Sequence, residues 1–168
     1  MMLSNGTPMF VAGDEFMNTQ HGNANPWDQD NETTWLDWSL AETNHEVLSF
    51  FRMMIAFRKS HPSIARSTGW GTDVRWHGVG VAADLAPYSR TLAFHLRDRT
   101  AEDGDIYVMI NADWQNLVFE IQAPGSWRRL IDTALASPND IVAPIEAPTI
   151  ADNRYDVSAR SIVVLHHN

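Results

Sequence analysis

The sequence predicts a mainly β protein, in which an antiparallel β-sandwich or barrel follows a single strand, a long polar loop and one helix. Two observations indicate this arrangement. After residue 62, several short runs alternate apolar and polar residues, and clusters of Gly, Pro, Asn and Asp separate them. Before residue 62, one stretch repeats its apolar residues with helical spacing. The 168 residues suffice for one buried core, so we expect one domain with an additional piece.

The first predicted element is a strand at residues 7–12, Thr-Pro-Met-Phe-Val-Ala, which a Gly-Asp pair closes. A short apolar run between turn residues is typical of a strand buried on both faces. A polar loop follows at residues 13–44, and it contains Trp27, Trp35 and Trp38. A loop of this length inside a compact domain is usually functional or disordered, and its Trp content favours function.

A helix is predicted at residues 44–60, with Asn44 as its N-cap. Glu46 in the first turn and Arg58 and Lys59 in the last suit the helix dipole, and the proline at position 62 ends the pattern. The apolar side chains form two stripes, so the helix needs cover on more than one side, from the strands, a partner or a segment that this chain lacks. The stripes are Val47, Phe51, Met54, Ile55 and Arg58, and Phe50, Met53 and Phe57.

The remainder of the chain is predicted to be β. Clear alternation marks four strands, and two further runs are weaker candidates. The four are residues 91–97, 105–111, 117–121 and 161–166, and the weaker runs are residues 74–77 and 127–133. Short strands at this spacing indicate an antiparallel sandwich or barrel.

Composition excludes several classes of function. Twelve basic against 21 acidic residues give a net charge of −9. Without a basic stripe, neither nucleic acid nor an anionic membrane is an expected partner. The chain has no cysteine, which excludes disulfides and cysteine chemistry. The first residues lack the pattern of a secretory signal, so we expect a cytoplasmic location.

No cofactor or metal site is expected. The spacing Asp28-x-Asp30-x-Glu32 resembles the start of a calcium-binding loop. An EF-hand loop needs Gly at its sixth position and Glu at its twelfth, where this chain has Thr33 and Ser39. No zinc-binding His pattern and no phosphate-binding glycine loop is present.

The most polar chemistry lies in the loop at residues 13–44. Carboxylates and amides can bind the hydroxyl pairs of a sugar, and indole rings can stack on its apolar face. Alternatively, the loop is structural: its Asp and Asn side chains form local turns while its Trp residues anchor it to the core. Composition alone favours this alternative. Carboxylate pairs can also hydrolyse glycosidic bonds, and Asp14, Glu15, Asp30 and Asp37 are candidates by residue type only.

Five segments carry a resemblance to a known family: GTPMFVAGDEF at 6–16, TQHGN at 19–23, QDNETTWLDW at 29–38, FRKSHP at 57–62 and SARS at 158–161. They resemble the isoamylase-type glycogen-debranching enzymes of the α-amylase superfamily, whose (β/α)8 barrel precedes an antiparallel β-sandwich. By this resemblance, residues 1–62 are the last strand, loop and helix of the barrel, and residues 63–168 are the sandwich. The family usually has Cys at the position of Asp28, so a contact through that thiol is not expected here.

The resemblance gives the loop a role, because active sites of such barrels lie in the loops after the strands. It implies that the loop lines the substrate cleft, with α-glucan (glycogen or a branched maltooligosaccharide) as the ligand. The substrate-binding residues that it predicts are Asp14, Glu15, Asn23, Trp27, Asp30 and Asn31. The four other Trp residues, Trp70, Trp76, Trp114 and Trp127, are expected to pack inside the sandwich.

The family's three catalytic carboxylates lie on earlier strands, and no position in this chain matches them. We therefore expect the C-terminal part of a debranching glycosidase, without hydrolase activity by itself. The alternative is a stand-alone α-glucan-binding or structural interaction module. In either case, a barrel strand without its neighbours has unpaired edges, which predicts either self-association through the exposed surface or a disordered N-terminal segment.

Overall fold

The computed structural model describes residues 1–66, 69–80, 82–98 and 103–167. Two helices, α1 (Ser39–Thr43) and α2 (His45–Ser60), precede seven strands. The strands are β1 (Val74–His77), β2 (Thr91–Leu96), β3 (Asp105–Asn111), β4 (Leu117–Glu120), β5 (Arg128–Asp132), β6 (Arg154–Val157) and β7 (Ser161–His167). The protein is therefore mainly β after residue 62, as predicted.

Five strands form one antiparallel sheet in the order β1-β2-β3-β7-β5, and β4 and β6 form a second, two-stranded sheet. The small sheet covers one face of the large one, and buried Phe119 and Val157 join Tyr107 and Val163 in the core between them. Packing one antiparallel sheet on another makes a β-sandwich, so the predicted fold class is confirmed.

Helix α2 covers the other face of the large sheet. Its Met54 and Phe57 are buried in a second core with Phe94, Val108 and Val164. Because β2, β3 and β7 are buried on both faces, successive residues along them are inaccessible to water. The helix therefore receives cover from the sheet, one of the three sources considered for its two apolar stripes.

Arg58 and Phe51 attach the N-terminal segment, residues 1–10, to helix α2. The buried guanidinium of Arg58 donates hydrogen bonds to the carbonyl oxygens of Met2 (2.6 Å), Ser4 (2.8 Å) and Gly6. The ring of Phe51 lies edge-on to Phe10, 5.6 Å away between centroids. The apolar stripe of α2 that contains Phe51 and Arg58 is thus partly covered by residues 1–10.

The strand predicted at residues 7–12 is absent: residues 7–11 have no regular secondary structure. The apolar run has the pattern of a buried strand, but a strand needs a hydrogen-bonded neighbour, and no other described segment pairs with it. Met9 is 88% exposed and Val11 63%. This segment is consequently an exposed apolar patch.

Three smaller differences concern the ends and number of elements. Asn44 does precede α2, but its side chain does not cap the helix, because it donates to the carbonyl of Phe16 instead. Strand β6 was not predicted, since only Tyr155 and Val157 mark its inward face among charged residues. The alternation of apolar and polar residues is weak in β5 because a bulge lies between Arg129 and Ile131.

Candidate functional site

The candidate site is the loop between the N-terminal segment and helix α1, residues 13–38. It begins with a tight turn at Gly13, whose φ of 98° favours glycine. A Cβ atom on Gly13 would lie 2.6 Å from the Cβ of Asn18, closer than side chains tolerate. Asn18 then joins the two ends of the loop: its N–H donates to the carbonyl of Gly13 (2.9 Å), and its Oδ1 accepts the N–H of Asp37 (3.0 Å).

Phe16 fixes this turn to the helical layer. Its side chain is only 1% exposed, and its carbonyl accepts a hydrogen bond from the Asn44 side chain at 2.9 Å. The ring of Trp38 lies 5.3 Å from that of Phe16, although Trp38 itself is 66% exposed. One buried aromatic and one amide contact therefore position the start of the loop against α2.

Asp14 and Glu15 lie together on the short 3₁₀ turn that follows Gly13. The Oδ2 atom of Asp14 accepts the N–H of Val11 (3.0 Å), and the Oε2 atom of Glu15 accepts the N–H of Gly13 (2.9 Å). Asp14 is exposed and Glu15 half-buried. Each carboxylate thus uses one oxygen to hold the turn, and the other oxygen of Asp14 can reach a ligand from the surface.

Asn23 and Asn31 stabilise local turns. The Oδ1 atom of Asn23 accepts the N–H of Asn25 (3.0 Å), and that of Asn31 accepts the N–H of Thr33 (2.9 Å). These are the side-chain turns expected of a structural loop. For these two residues the structural alternative from the sequence is correct, while their amide groups can still donate to a ligand.

Trp27 and Trp35 do not anchor the loop to the core, contrary to the second part of that alternative, whereas Trp38 packs on buried Phe16. Trp27 is 82% exposed and Trp35 59%. The indole N–H of Trp35 donates to Oδ1 of Asp30 at 2.8 Å, which holds the ring by its edge and leaves it at the surface. An exposed indole fixed in this way can stack on a ligand without a large further loss of side-chain entropy.

Asp37 supplies a fixed negative charge at the end of the loop. Its Oδ1 atom accepts the hydroxyl of Ser39 (2.6 Å) and the N–H of the same residue (3.0 Å). The hydroxyl bond, and then the backbone bond, lower the pKa of Asp37. Asp37 therefore stays ionised at mildly acidic pH.

The loop thus presents two groups of predicted residues. Asp14 and Glu15 follow the Gly13 turn, whereas Asp30 accepts the indole N–H of Trp35 and Asn31 is its neighbour in the chain. Sequence reasoning missed three supporting contacts: the link from Asn18 to Asp37, the link from Asn44 to Phe16, and the indole contact of Asp30. Each joins residues whose proximity depends on how the loop folds, so no pattern in the sequence could identify them.

Outside the loop, burial lowers the pKa of two histidines, His61 and His95. The Nδ1 atom of His61 contacts the carbonyl of Phe57 (2.6 Å) at the end of α2, and its ring meets that of His166 edge-on. His95 lies 2.8 Å from the carboxylate of Asp105 in the large sheet. Desolvation outweighs the opposing effect of these partners, so both imidazoles favour the neutral form.

Within the described ranges, no cluster of three or more His, Asp or Glu side chains is arranged to hold a metal ion. Among the same residues, neither helix has the length and apolar character needed to cross a membrane.

The Trp residues of the sandwich follow the prediction only in part. Trp127 is buried, and the half-buried Trp70 packs on Phe94 with their ring centroids 5.2 Å apart. Trp76 also contacts Phe94 but is 48% exposed. Trp114 was expected to be a packing residue, and this was wrong: it is 67% exposed.

Comparison with known proteins relates nearly the whole chain to larger proteins. Over 170 residues it is 34% identical to isoamylase 3, chloroplastic, of Oryza sativa subsp. japonica, covering 98% of this chain and 21% of that protein. Over 193 residues it is 30% identical to the glycogen operon protein GlgX homolog of Mycobacterium tuberculosis, covering 98% of this chain and 26% of that protein. The chain thus spans about a fifth to a quarter of the length of these relatives. No family model matches it.

Solved structures agree. A pullulanase from Bacillus acidopullulyticus superposes on 99% of the chain with a TM-score of 0.80 at 21% identity, which supports the fold, and the match covers 19% of that protein. A pullulanase mutant from Paenibacillus barengoltzii, complexed with maltotetraose, superposes on 99% of the chain with a TM-score of 0.72 at 30% identity, and the match covers 23% of that protein. Over 98% of its length, the chain is therefore homologous to the C-terminal portion of the isoamylase-type glycogen-debranching enzymes.

Proposed function

We propose that this chain forms the C-terminal part of an enzyme that hydrolyses α-1,6 branch linkages in glycogen or a similar α-glucan. In this role residues 13–38 form part of the wall of the substrate cleft, and the sandwich supports the catalytic barrel. The relatives named above support this role, because their names and bound maltooligosaccharides concern α-glucans.

The observation that carries the proposal is the exposure of Trp27 and Trp35 on a loop that is otherwise tightly hydrogen-bonded. Exposed indoles cost solvation free energy, so they are expected where a ligand or a neighbouring protein surface covers them. The carboxylates and amides beside them accept and donate hydrogen bonds, as sugar hydroxyls require. If a pyranose ring stacked on Trp35, the carboxylate of Asp30, which holds that indole, would lie near the ring. Asn31 is the next residue in the chain.

The chain by itself is proposed to be inactive. Retaining hydrolysis of a glycosidic bond needs one carboxylate as nucleophile and a second as general acid, about 5 Å apart across the bond. The carboxylates of the loop instead accept hydrogen bonds from the backbone or from an indole, as Asp14, Glu15 and Asp30 do. Because no position of this chain matches the catalytic carboxylates of the resembled family, these residues are assigned to substrate binding and not to catalysis.

The alternative function is a stand-alone α-glucan-binding module. It is favoured by one observation: the internal hydrogen bonds of the loop and its exposed indoles involve residues of this chain only. Under this alternative the chain binds sugar without ever contributing to hydrolysis.

Two measurements test the proposal. Incubation of the purified chain with glycogen is expected to release no reducing ends beyond a mock preparation, and activity of the chain alone would contradict the assignment. Titration with maltoheptaose is expected to change the Trp fluorescence at millimolar sugar, and Trp27→Ala and Trp35→Ala should reduce the change. Trp70→Phe, which alters a half-buried ring outside the loop, is the control. An unchanged response in both loop variants would remove the loop from the binding site.

A further inference from the structure

Trp114 lies at the surface of the sandwich, and it is far along the chain from the loop at residues 13–38. It lies between β3 and β4 and is 67% exposed. The guanidinium carbon of Arg160 lies 4.5 Å from the centroid of the indole ring. This cation–π contact covers one face of the ring and fixes its orientation, so the exposed surface belongs largely to the remainder of the ring.

A buried amide builds the support for this ring. Asn111 is 1% exposed, and its Nδ2 atom contacts the carbonyl oxygens of Gln115 (2.8 Å), Val157 (3.0 Å) and Ser158 (3.1 Å). Its Oδ1 atom accepts the N–H of Asp113 at 3.0 Å. One side chain therefore holds together the loop that carries Trp114 and the loop that carries Arg160.

The backbone of Arg160 is strained. Its φ is 53°, in the left-handed region that side chains other than Gly rarely adopt. The strain is held by two contacts between the loops: Arg160 N–H donates to the carbonyl of Asp113 (3.1 Å), and Ala159 N–H donates to Oδ1 of Asn116 (3.1 Å). Strained residues with this degree of support are concentrated at binding and catalytic sites.

Two arginines and one aspartate lie around the ring, with a net charge of +1. The Oδ2 atom of Asp113 lies 3.8 Å from the guanidinium of Arg90, and both side chains are partly exposed. Together with Arg160 they offer donors and an acceptor at the rim of an apolar ring, without a strong excess of either charge. This chemistry suits a neutral, hydroxyl-rich ligand with an apolar face, which describes a pyranose ring.

The position is separate from the loop at residues 13–38 (the cleft loop). Asn111 lies on the face of the large sheet that β4 and β6 cover, as its contact with Val157 of β6 shows. Helix α2 packs on the opposite face of that sheet. A ligand bound at Trp114 would therefore not occupy the loop at residues 13–38.

We propose that Trp114, Arg160, Arg90 and Asp113 form a second α-glucan contact site on the sandwich. The identity of the ligand rests on the proposed function, whereas the site rests on the exposed, supported ring. Glycogen is long and branched, so one particle can touch the cleft loop and this site together. Two linked contacts raise the apparent affinity well above that of either contact alone.

The test is retention of the whole chain by glycogen, measured by affinity electrophoresis. Trp114→Ala is expected to weaken retention by about tenfold, because one of two linked contacts is lost. Trp114→Phe keeps a flat ring and should restore most of the retention, whereas Trp114→Leu should not. Ile145→Ala, which shortens an apolar side chain that is 87% exposed, is the matched control and should behave as wild type. Far-ultraviolet circular dichroism confirms that each variant is folded.

The outcomes distinguish this site from the cleft loop. Weaker retention in Trp114→Ala, with Trp27→Ala unchanged, would support the sandwich site and contradict the cleft proposal. Wild-type retention in Trp114→Ala would overturn the sandwich site, whatever Trp27→Ala does. Equal retention in Trp114→Leu and wild type would also overturn it, since only an apolar protein contact would accept an aliphatic side chain.

Discussion

Replacing Arg58 with Met tests how the N-terminal segment is held. Arg58 is 8% exposed, and its guanidinium donates hydrogen bonds to the carbonyls of Met2, Ser4 and Gly6. Met keeps much of the side-chain volume but removes all three donors. Hydrogen bonds to a charged group contribute about 1.5–3 kcal/mol each, which sets an upper bound for three. The carbonyls of Ser4 and Gly6 can regain water because these residues are exposed, so we expect a net loss of about 2–4 kcal/mol.

The assay is equilibrium unfolding in urea, followed by Trp fluorescence. With a denaturant slope of about 2 kcal/mol per M, the loss corresponds to a midpoint about 1–2 M lower. Arg52→Met is the matched control, because Arg52 is an exposed arginine on the same helix and its replacement should leave the midpoint nearly unchanged. The Arg58 variant should also be cleaved faster by proteases within residues 1–12. A midpoint equal to that of the Arg52 variant would refute the account of this contact.

Three further predictions concern stability and association. Tyr155→Phe removes the hydroxyl that donates to Oδ2 of buried Asp132 at 2.8 Å, and it should cost about 2 kcal/mol in urea unfolding; an unchanged midpoint would contradict this. Burial lowers the pKa of His61 in the folded state below its ordinary value near 6.5. The free energy of unfolding should therefore fall as the pH drops below that value, because the unfolded chain then binds a proton more readily than the folded chain. His61→Asn should flatten that fall, and a stability that rises on acidification would reverse the assigned sign. The exposed side chains of Met9 and Val11 predict self-association in size-exclusion chromatography, which a double substitution by Ser should reduce, and a strictly monomeric wild type would contradict it.

The sandwich could be predicted from the sequence to a large extent, because its strands carry their own periodic signal. Strand β3 has the bounds predicted for it, residues 105–111, and β7 differs by one residue. Strand β6 lacks such a signal: it has four residues, of which only Val157 is buried. The alternation of apolar and polar residues is weak around Leu130 because of a bulge, and residue propensities do not predict where a bulge occurs.

The N-terminal part was less predictable for a different reason. The run at residues 7–12 has the pattern of a buried strand, but whether a strand forms depends on neighbours that a local pattern does not describe. The loop shows the same limit. Its turn-forming residues, such as Asn23 and Asn31, could be anticipated from residue type, whereas the exposure of Trp27 and the link from Asn18 to Asp37 depend on the folded arrangement.

The most direct test of the central claim is a chimera in which this chain replaces the matching C-terminal portion of rice isoamylase 3. If the chain supplies a working cleft wall and sandwich, the folded chimera should release reducing ends from glycogen. Trp27→Ala and Asp30→Ala within the grafted part should lower kcat/KM, while Ile145→Ala should not. A folded chimera without α-1,6 hydrolysis, or one whose activity does not respond to the two loop substitutions, would contradict the assignment of residues 13–38 to the substrate cleft.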